Sequence, residues 1–379
     1  MKHRADVAIL GGGTAGCTAA YLLARAGFSA LIIERGRASG WMIGEGLPPS
    51  STALLHQLGL YERFLQDGHL PSFGNRSAWG STSCAEHNFL FEANGHGWHI
   101  DRAKFDAMLA EFAIQQGALL LDRTELKELR QTDVGWRLHL TQGIEVEADF
   151  LIDATGRNCH LARRLNMQRI AFDRLACITG WFAADSADQD SQTVLEAVED
   201  GWWYSSLLPE GQRVVSFLSD ADLPQTRSAR LPHLWKRQLD RTSHISSLVR
   251  KDAGALISPP RIVNANSSCL PTPIGAGWLA IGDAACAYDP LSSQGMLMAL
   301  GTAIEATEAL QSVWRGDVTA LDEYQSFIRQ MYGAYLNSRD AYYAMERRFP
   351  HSLFWQRRHR AKRDQTPLSR NIGTVEKWE

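Results

Sequence analysis

The chain has no CxxC motif. Its six cysteines stand apart at positions 17, 84, 159, 177, 269 and 286. Thiols scattered in this way read as reduced, mostly structural residues of a reducing compartment. No His, Cys or carboxylate cluster has metal-ligand spacing, and no nucleophile–base constellation suggests hydrolysis. Neither sign of charge dominates: the formal net charge is -3 over 379 residues. That balance argues against a dedicated nucleic-acid binder. No apolar run is long enough to cross a membrane, and the opening "MKHRADVAILGGG" passes directly into a glycine turn, unlike a signal peptide. There is no internal repeat and no low-complexity linker. The expectation is a soluble cytoplasmic protein with no nucleic-acid or membrane partner. Its length suits one large domain or two fused ones.

What the chain does have begins at its start. "ADVAILGGGTAGCTAAYLLARAGFSALIIERG" reads as strand, turn, helix and strand. Val7 to Leu10 form an apolar strand, and Gly11, Gly13 and Gly16 match GxGxxG. Ala19 to Ala26 have helical composition, and Ala30 to Ile33 form a second strand ending at Glu34 and Arg35. Gly11 suits the tight turn, Gly13 the approach of a pyrophosphate, and Gly16 close helix–strand packing. Thr14 and Ala15 open the helix whose N-terminus would face the anion. Glu34 is placed to accept hydrogen bonds from a ribose hydroxyl. A βαβ unit with an incidental glycine turn is the plain alternative.

A second stretch separates FAD from NAD. "GWLAIGDAACAYDPLSSQGMLMALG" (residues 277–301) is a buried-looking run ending in Gly282-Asp283, then a turn-rich loop, then a helical pattern from Met296. It resembles the second flavin motif of the group A flavoprotein monooxygenases and the flavin-dependent halogenases. The resemblance implies that Asp283 binds the ribityl chain and that the loop of Pro290, Ser293, Gln294, Gly295 and Met296 faces the flavin ring. A helix N-terminus there would stabilise the anion of reduced flavin. "DFLIDATGRNCHLARRL" places Asp153, Gly156 and Arg157 like another motif of these enzymes. In "HIDRAKFDAMLAEFAIQQGA", Arg102 opens an amphipathic helix with Phe105, Met108, Leu109 and Phe112 on one stripe. The family's corresponding arginine lies near the FAD phosphates; a surface charge at a helix start is the alternative.

The implied fold is α/β. A Rossmann-like FAD-binding domain is assembled from about 1–75, 100–160 and 265–330. A substrate domain with an antiparallel sheet comprises 76–99 and 165–260, and helices fill 331–379. Within the substrate domain, "QTVLEAVEDGWWYSSLLPEGQRVVSFLSD" alternates as antiparallel strands joined at "PEGQ".

Halogenases and hydroxylases of this superfamily share a flavin C4a-hydroperoxide and diverge in its use. "GEGLPPSSTALLHQLGL" (residues 44–60) resembles the halogenases. Their essential lysine should follow near "PSFGNRSAWGS", yet Phe73, Gly74, Asn75 and Arg76 stand there. An arginine cannot present a nucleophilic amine. The halogenases' tryptophan motif is also altered, to Trp202, Trp203, Tyr204. Direct oxygen transfer to an aromatic ring is therefore favoured. "GWHIDRAKFD", "DRLACITGWF", "GWWYSSLLPEG", "DPLSSQGM" and "YYAMERRFPHSLFWQRR" are similar to the flavoproteins that mature cysteine tryptophylquinone in partner enzymes such as lysine ε-oxidase, glycine oxidase and quinohemoprotein amine dehydrogenase. That likeness implies hydroxylation of a tryptophan in a protein partner. FAD would be reduced by NAD(P)H or by a separate flavin reductase. Hydroxylation of a free aromatic, halogenation, a reductase of the geranylgeranyl type and a non-catalytic FAD-containing chaperone are the rivals.

Few residues are candidates for the chemistry itself. Trp202 and Tyr204 should face one side of their strand and Trp203 the other; they either line the pocket or pack the sheet. Glu45 serves as a base or only holds its loop. His99, beside Asp101 and Arg102, is an acid–base candidate with a structural alternative, as is His96. The basic run 357–363 is either a solvated helix or a docking face for an acidic partner.

Overall fold

In the computed structural model the described residues are 1–36, 42–89, 92–184, 189–251 and 256–360. Two large sheets organise them. The first has eight strands. Its central path runs Ile274–Gly275, Trp278–Ala280, Glu145–Asp153, Lys2–Leu10, Ala30–Ile33, Leu119–Leu121. Lys2–Leu10 pairs in parallel with both Glu145–Asp153 and Ala30–Ile33, and Glu145–Asp153 in parallel with Trp278–Ala280. The register aligns Leu10 with Ile33 and with Asp153, and Asp153 with Ala280. Four strands thus end level, and the chain leaves each one on the same edge. Gly11, Glu34, Ala154 and Ile281 begin the four loops of that edge, where ligands of open α/β sheets bind.

Near their level ends the strands are buried on both faces, one packed by helices and the other by residues such as Leu126, Trp136 and Leu138 of two antiparallel strands. Val7, Ala8, Ile9 and Leu10 are all in the core. The helices Thr14–Arg25, Arg102–Gln115 and Gly295–Trp314 cover one face. In Arg102–Gln115 the expected stripe is largely inward: Phe105, Met108 and Leu109 are buried and Phe112 is partly buried. Asp101 caps this helix, its Oδ1 accepting from the N–H groups of Ala103 and Lys104 at 2.8 and 3.1 Å.

The second large sheet has seven strands in the order Arg261–Asn264, Leu175–Ala183, Gln212–Asp220, Gly201–Leu208, Thr193–Val198, Gly74–Ala78, Ala85–Asn88. All pairs are antiparallel except Thr193–Val198 with Gly74–Ala78. The turn at "PEGQ" joins Gly201–Leu208 to Gln212–Asp220, with Glu210 and Gly211 at positive φ. Gly97–His99 does not join this sheet. It pairs with Gly46–Leu47 and Leu70–Ser72 in a small sheet of its own.

Alternation on Gly201–Leu208 is as expected. Trp202 and Tyr204 join one core cluster with Cys177, Tyr343, Phe354 and Trp355. Trp203 joins another with Phe217 and Trp235. The long helix Ala320–Met345 and the short helix Leu353–Arg360 complete the fold. Arg357 and Arg358 of the basic run are not a free docking face. Arg357 is held by Asp220 and Asp222, and Arg358 is buried against Asp220. Positions 361–363 of that run lie outside the described residues.

Candidate functional site

The glycine turn is built on close backbone approach. Gly11 has φ +103°, and a Cβ there would stand 2.4 Å from the Ala154 carbonyl oxygen. A Cβ on Gly16 would stand 1.9 Å from the Gly11 oxygen. Gly13 is different: a Cβ there would meet nothing within 4 Å. It precedes the helix Thr14–Arg25, whose first-turn N–H groups receive no side-chain cap. Glu34 Oε2 accepts from the Gly12 N–H at 2.7 Å and Oε1 from the Gly36 N–H at 3.0 Å. It therefore braces the turn while retaining lone pairs for another donor. Arg35 is exposed beside it.

The second flavin-like motif meets this turn. Gly282 has φ +55°, and a Cβ there would touch the Ala15 side chain at 3.1 Å. Asp283, half-buried, is 3.2 Å from Arg157 Nε. Arg157 also donates to the carbonyls of Asn266 and Tyr288. The guanidinium of Arg169 donates to the carbonyls of Asp283, Ala284 and Ser268, to Ser268 Oγ and to Cys159 Sγ. No sequence pattern singled out Arg169, because its partners are mostly backbone oxygens far along the chain. Asp153 does not face the site as expected. It is fully buried, with Oδ1 bound by the Thr155 N–H and hydroxyl and Oδ2 by the Ala162 N–H. Its carboxylate shapes the loop instead. Gly156 in that loop, at φ +62°, has open space where a Cβ would stand.

Pro290 to Ser292 form a 3-10 turn, Ser293 is left-handed at φ 51°, and Gln294 precedes the helix Gly295–Trp314, again without a side-chain cap. A Cβ on Gly295 would also meet open space. Thr14 Oγ1 donates to Asp106 Oδ1 at 2.7 Å and lies 3.8 Å from Met296 Sδ, so both helix starts adjoin. Arg102 Nη2 donates to Asp106 Oδ2 at 3.1 Å, and Nη1 to the carbonyls of Ile43 and Gly44 at 2.9 and 3.3 Å. Its Nε is buried with no hydrogen-bond partner. Asp106 was missed in the sequence. Its only signal is the i,i+4 spacing from Arg102. Two uncapped helix starts, three glycines opening on free space and one orphaned guanidinium N–H fit a dinucleotide bearing a diphosphate.

Glu45 and Tyr204 are brought together between this cradle and the seven-stranded sheet. The Tyr204 hydroxyl donates to the Glu45 carboxylate. Burial raises the Glu45 pKa, opposed by its own and the Gly44 N–H, by Tyr204 and by Arg102. Burial, then the Glu45 charge, keeps Tyr204 protonated well above its ordinary range. Ser216 hydrogen-bonds Tyr204 and, at 2.7 Å, Thr179.

Two expectations are corrected here. Trp202 does not line an open pocket. It is 1% exposed, its Nε1–H donates to the Tyr343 hydroxyl at 3.1 Å, and Trp79 and Tyr204 flank the ring. His99 is no general acid or base. Its Nδ1–H donates to the Leu207 carbonyl at 2.8 Å, and Nε2 accepts from Thr193 Oγ1 at 2.9 Å. Burial lowers its pKa to about 4, so the neutral ring pins the small sheet to the large one. At the halogenase lysine's place, Phe73 is exposed and Arg76 is paired with Asp190. Among the described residues no group of His, Cys and carboxylates could hold a metal, and no helix is long and apolar enough to cross a membrane.

Comparison with known proteins agrees with this geometry. The FAD binding domain family matches residues 4–336. LodB of Marinomonas mediterranea, which carries the name of an FAD-dependent oxidoreductase, is 31% identical over 363 residues, covering 93% of this chain and 96% of its own. The myxobacterial chondrochloren halogenase CndH superposes with a TM-score of 0.83 at 24% identity, covering 94% of this chain and 86% of its own. QhpG, described as a peptidyl tryptophan dihydroxylase essential for tryptophylquinone cofactor biogenesis, superposes with a TM-score of 0.75 at 24% identity, covering 94% and 78%. The chain thus belongs to the FAD binding domain family and is an FAD-dependent oxidoreductase.

Proposed function

We propose that this flavoprotein hydroxylates an aromatic ring, a tryptophan side chain of a partner protein that is being matured into a tryptophylquinone enzyme. One observation carries the reading: a buried carboxylate, Glu45, is held by a tyrosine hydroxyl beside the proposed cofactor cradle. Replacing a ring hydrogen by oxygen releases a proton that a positioned base must take. A carboxylate whose pKa is raised by burial accepts that proton more readily than an ordinary one.

Gly11, Gly13, Gly16 and the start of helix Thr14–Arg25 would hold the FAD diphosphate, and Glu34 the adenosine ribose. Asp283 would meet the ribityl chain, and the loop Pro290–Met296 the flavin ring. When bound and reduced by NAD(P)H or by a separate reductase, FAD supplies the electrons that activate dioxygen. The protein's own work is to exclude water, aim the ring and take the proton at Glu45. Tyr204, protonated, steadies the carboxylate between its two states.

The test is mass spectrometry of a tryptophylquinone-enzyme precursor incubated with this protein, reduced FAD, dioxygen and chloride or bromide. One or two oxygen atoms gained on a tryptophan are expected. A halogen gained in their place, or oxygen gained only by free small aromatics, overturns the proposal.

A further inference from the structure

The Trp202 indole, the Tyr343 hydroxyl and the Asp289 carboxylate form a directed chain. Trp202 Nε1–H donates to the Tyr343 oxygen at 3.1 Å, and the Tyr343 O–H donates to Asp289 Oδ2 at 2.7 Å. Each atom comes from a different part of the fold. Trp202 belongs to the seven-stranded sheet, Tyr343 to the helix Ala320–Met345, and Asp289 immediately precedes the loop that starts at Pro290.

Asp289 is itself the hinge pin of that loop. Its Oδ1 accepts from the Leu291 N–H at 2.9 Å, and its carbonyl accepts from Ser292 Oγ at 2.9 Å. Its own N–H donates to the Tyr335 hydroxyl at 2.6 Å, which also meets Ser267 Oγ at 2.8 Å. Tyr343 is packed by Trp355 and Trp79, with the Arg358 guanidinium 4.8 Å from its ring centre. The ring therefore has one orientation and the hydroxyl one acceptor.

We propose that Tyr343 is a positioning residue: through Asp289 it sets the loop Pro290–Gly295, and through Trp202 it ties that loop to the sheet facing the substrate. The inference rests on the reading that this loop faces the flavin. It goes beyond that reading by assigning control of the loop to the helix Ala320–Met345. Sheet movement on substrate docking would then reach the flavin loop through two hydrogen bonds.

The chain requires Asp289 as an acceptor. Burial, then the nearby Asp173 charge, raises its pKa to about 6, opposed by the Leu291 N–H, by Tyr343 and by Arg358. Asp173 is paired with Arg339 at 3.1 Å, and Tyr335 also faces Asp289. Below pH about 6 the neutral carboxyl accepts the Tyr343 hydroxyl more weakly, and the loop loses its anchor.

The test needs no turnover. Protein stripped of FAD is titrated with FAD by flavin fluorescence from about pH 5 to about pH 8. In the wild type, affinity should fall as pH drops through Asp289's titration. Tyr343→Phe keeps the ring in its aromatic nest and removes both hydrogen bonds. Its FAD affinity should fall about tenfold at high pH. Its pH midpoint should also move upward, because the lost O–H was holding the Asp289 pKa down. Asp289→Asn should abolish the pH step. Should Tyr343→Phe fail to fold, Trp202→Phe removes one donor only and should weaken FAD binding by a smaller factor. Unchanged affinity and midpoint in the foldable Tyr variant, or a pH step that persists in Asp289→Asn, overturns the proposal. A positive result with no oxygen on any tryptophan would leave this assignment standing and remove only the hydroxylation.

Discussion

The cradle and the sheet beneath which it lies solve opposite problems. At the proposed cradle the backbone and its glycines set the shape, with a few side chains such as Glu34 and Asp283 at its edges. On the sheet face large and polar side chains predominate, and what matters is which groups have already found partners. The Gly11–Gly16 contact is tight, and the Gly13 position is open. At the sheet, Trp202 on its strand and His99 against its edge have spent their polar atoms, whereas Glu45 beside it holds a carboxylate whose state can change. A cradle tolerates no added atom where backbones touch.

Two glycine variants test the first half of that contrast and should have the largest effects. Gly16→Ala places a methyl group 1.9 Å from the Gly11 oxygen, against backbone that cannot yield. The expected outcome is colourless, poorly folded protein. Gly13→Ala meets no protein atom within 4 Å. Its apoprotein should melt within a degree or two of the wild type, yet its FAD affinity should drop about 100-fold or more, as the methyl occupies the diphosphate's path. Equal melting and equal flavin content in both variants would break the distinction.

Glu45→Gln tests the second half. The loss of an acceptor for the ring proton should lower the rate of aromatic oxidation by about 10²- to 10⁴-fold with FAD content unchanged. Stability supplies an independent check. A carboxyl whose folded pKa is raised stabilises the fold while protonated and costs stability as pH rises through that pKa. Glutamine cannot ionise, so the melting temperature of the variant relative to wild type should rise between acidic and mildly alkaline buffer. A constant difference would mean that Glu45 is not strained by its burial.

These contrasts explain what the sequence disclosed. Gly11, Gly13, Gly16 and Glu34 were legible because backbone geometry forces residue types at fixed spacing. Asp283 and the loop after Pro290 were legible from their likeness to a flavin motif, and the level strand ends bring them to Gly11 across most of the chain. The face of Trp202 followed from alternation alone. That its N–H was already taken did not, because Tyr343 lies 141 residues away and carries no local signal. Asp153 and His99 misled for the same reason. A polar residue at a strand end or beside a helix start looks available until its partners, such as Ala162 or Leu207, are in view. Asp106 and Asp289 stood inside the quoted motifs, but only the fold shows that one bridges Thr14 to Arg102 and the other fixes a loop.

His99 gives the next effect. Its pKa is lowered to about 4 in the fold, against an unfolded value near 6.5. The neutral ring therefore contributes stability above about pH 6.5 that is lost as pH falls toward 4, on the order of 3 kcal/mol across that window. His69, also lowered to about 4 by burial, adds a similar dependence. His99→Gln should remove one of the two contributions, flattening the acid limb of stability measured by urea unfolding. Catalysis at neutral pH should change less than about threefold, because the ring is bonded at both nitrogens. A loss of rate approaching that of Glu45→Gln would return His99 to the chemistry.

The smallest effect separates the two faces of one strand. Trp203 stacks on Phe217 with ring centres 4.9 Å apart and sits 5.5 Å from Trp235, within an apolar cluster. Trp203→Phe removes ring volume from a packed core and should cost about 1–3 kcal/mol of stability. It touches neither Tyr343 nor Asp289, so FAD affinity and its pH midpoint should stay at wild-type values. Trp202→Phe, one residue away, removes similar volume but also the donor to Tyr343, so its FAD affinity should fall as well. Because the two substitutions are chemically identical, only the direction in which the strand points each ring can separate their outcomes. Urea unfolding and FAD titration on the same two variants measure that separation, and identical FAD affinities would show that the sheet's inner face does not reach the flavin loop.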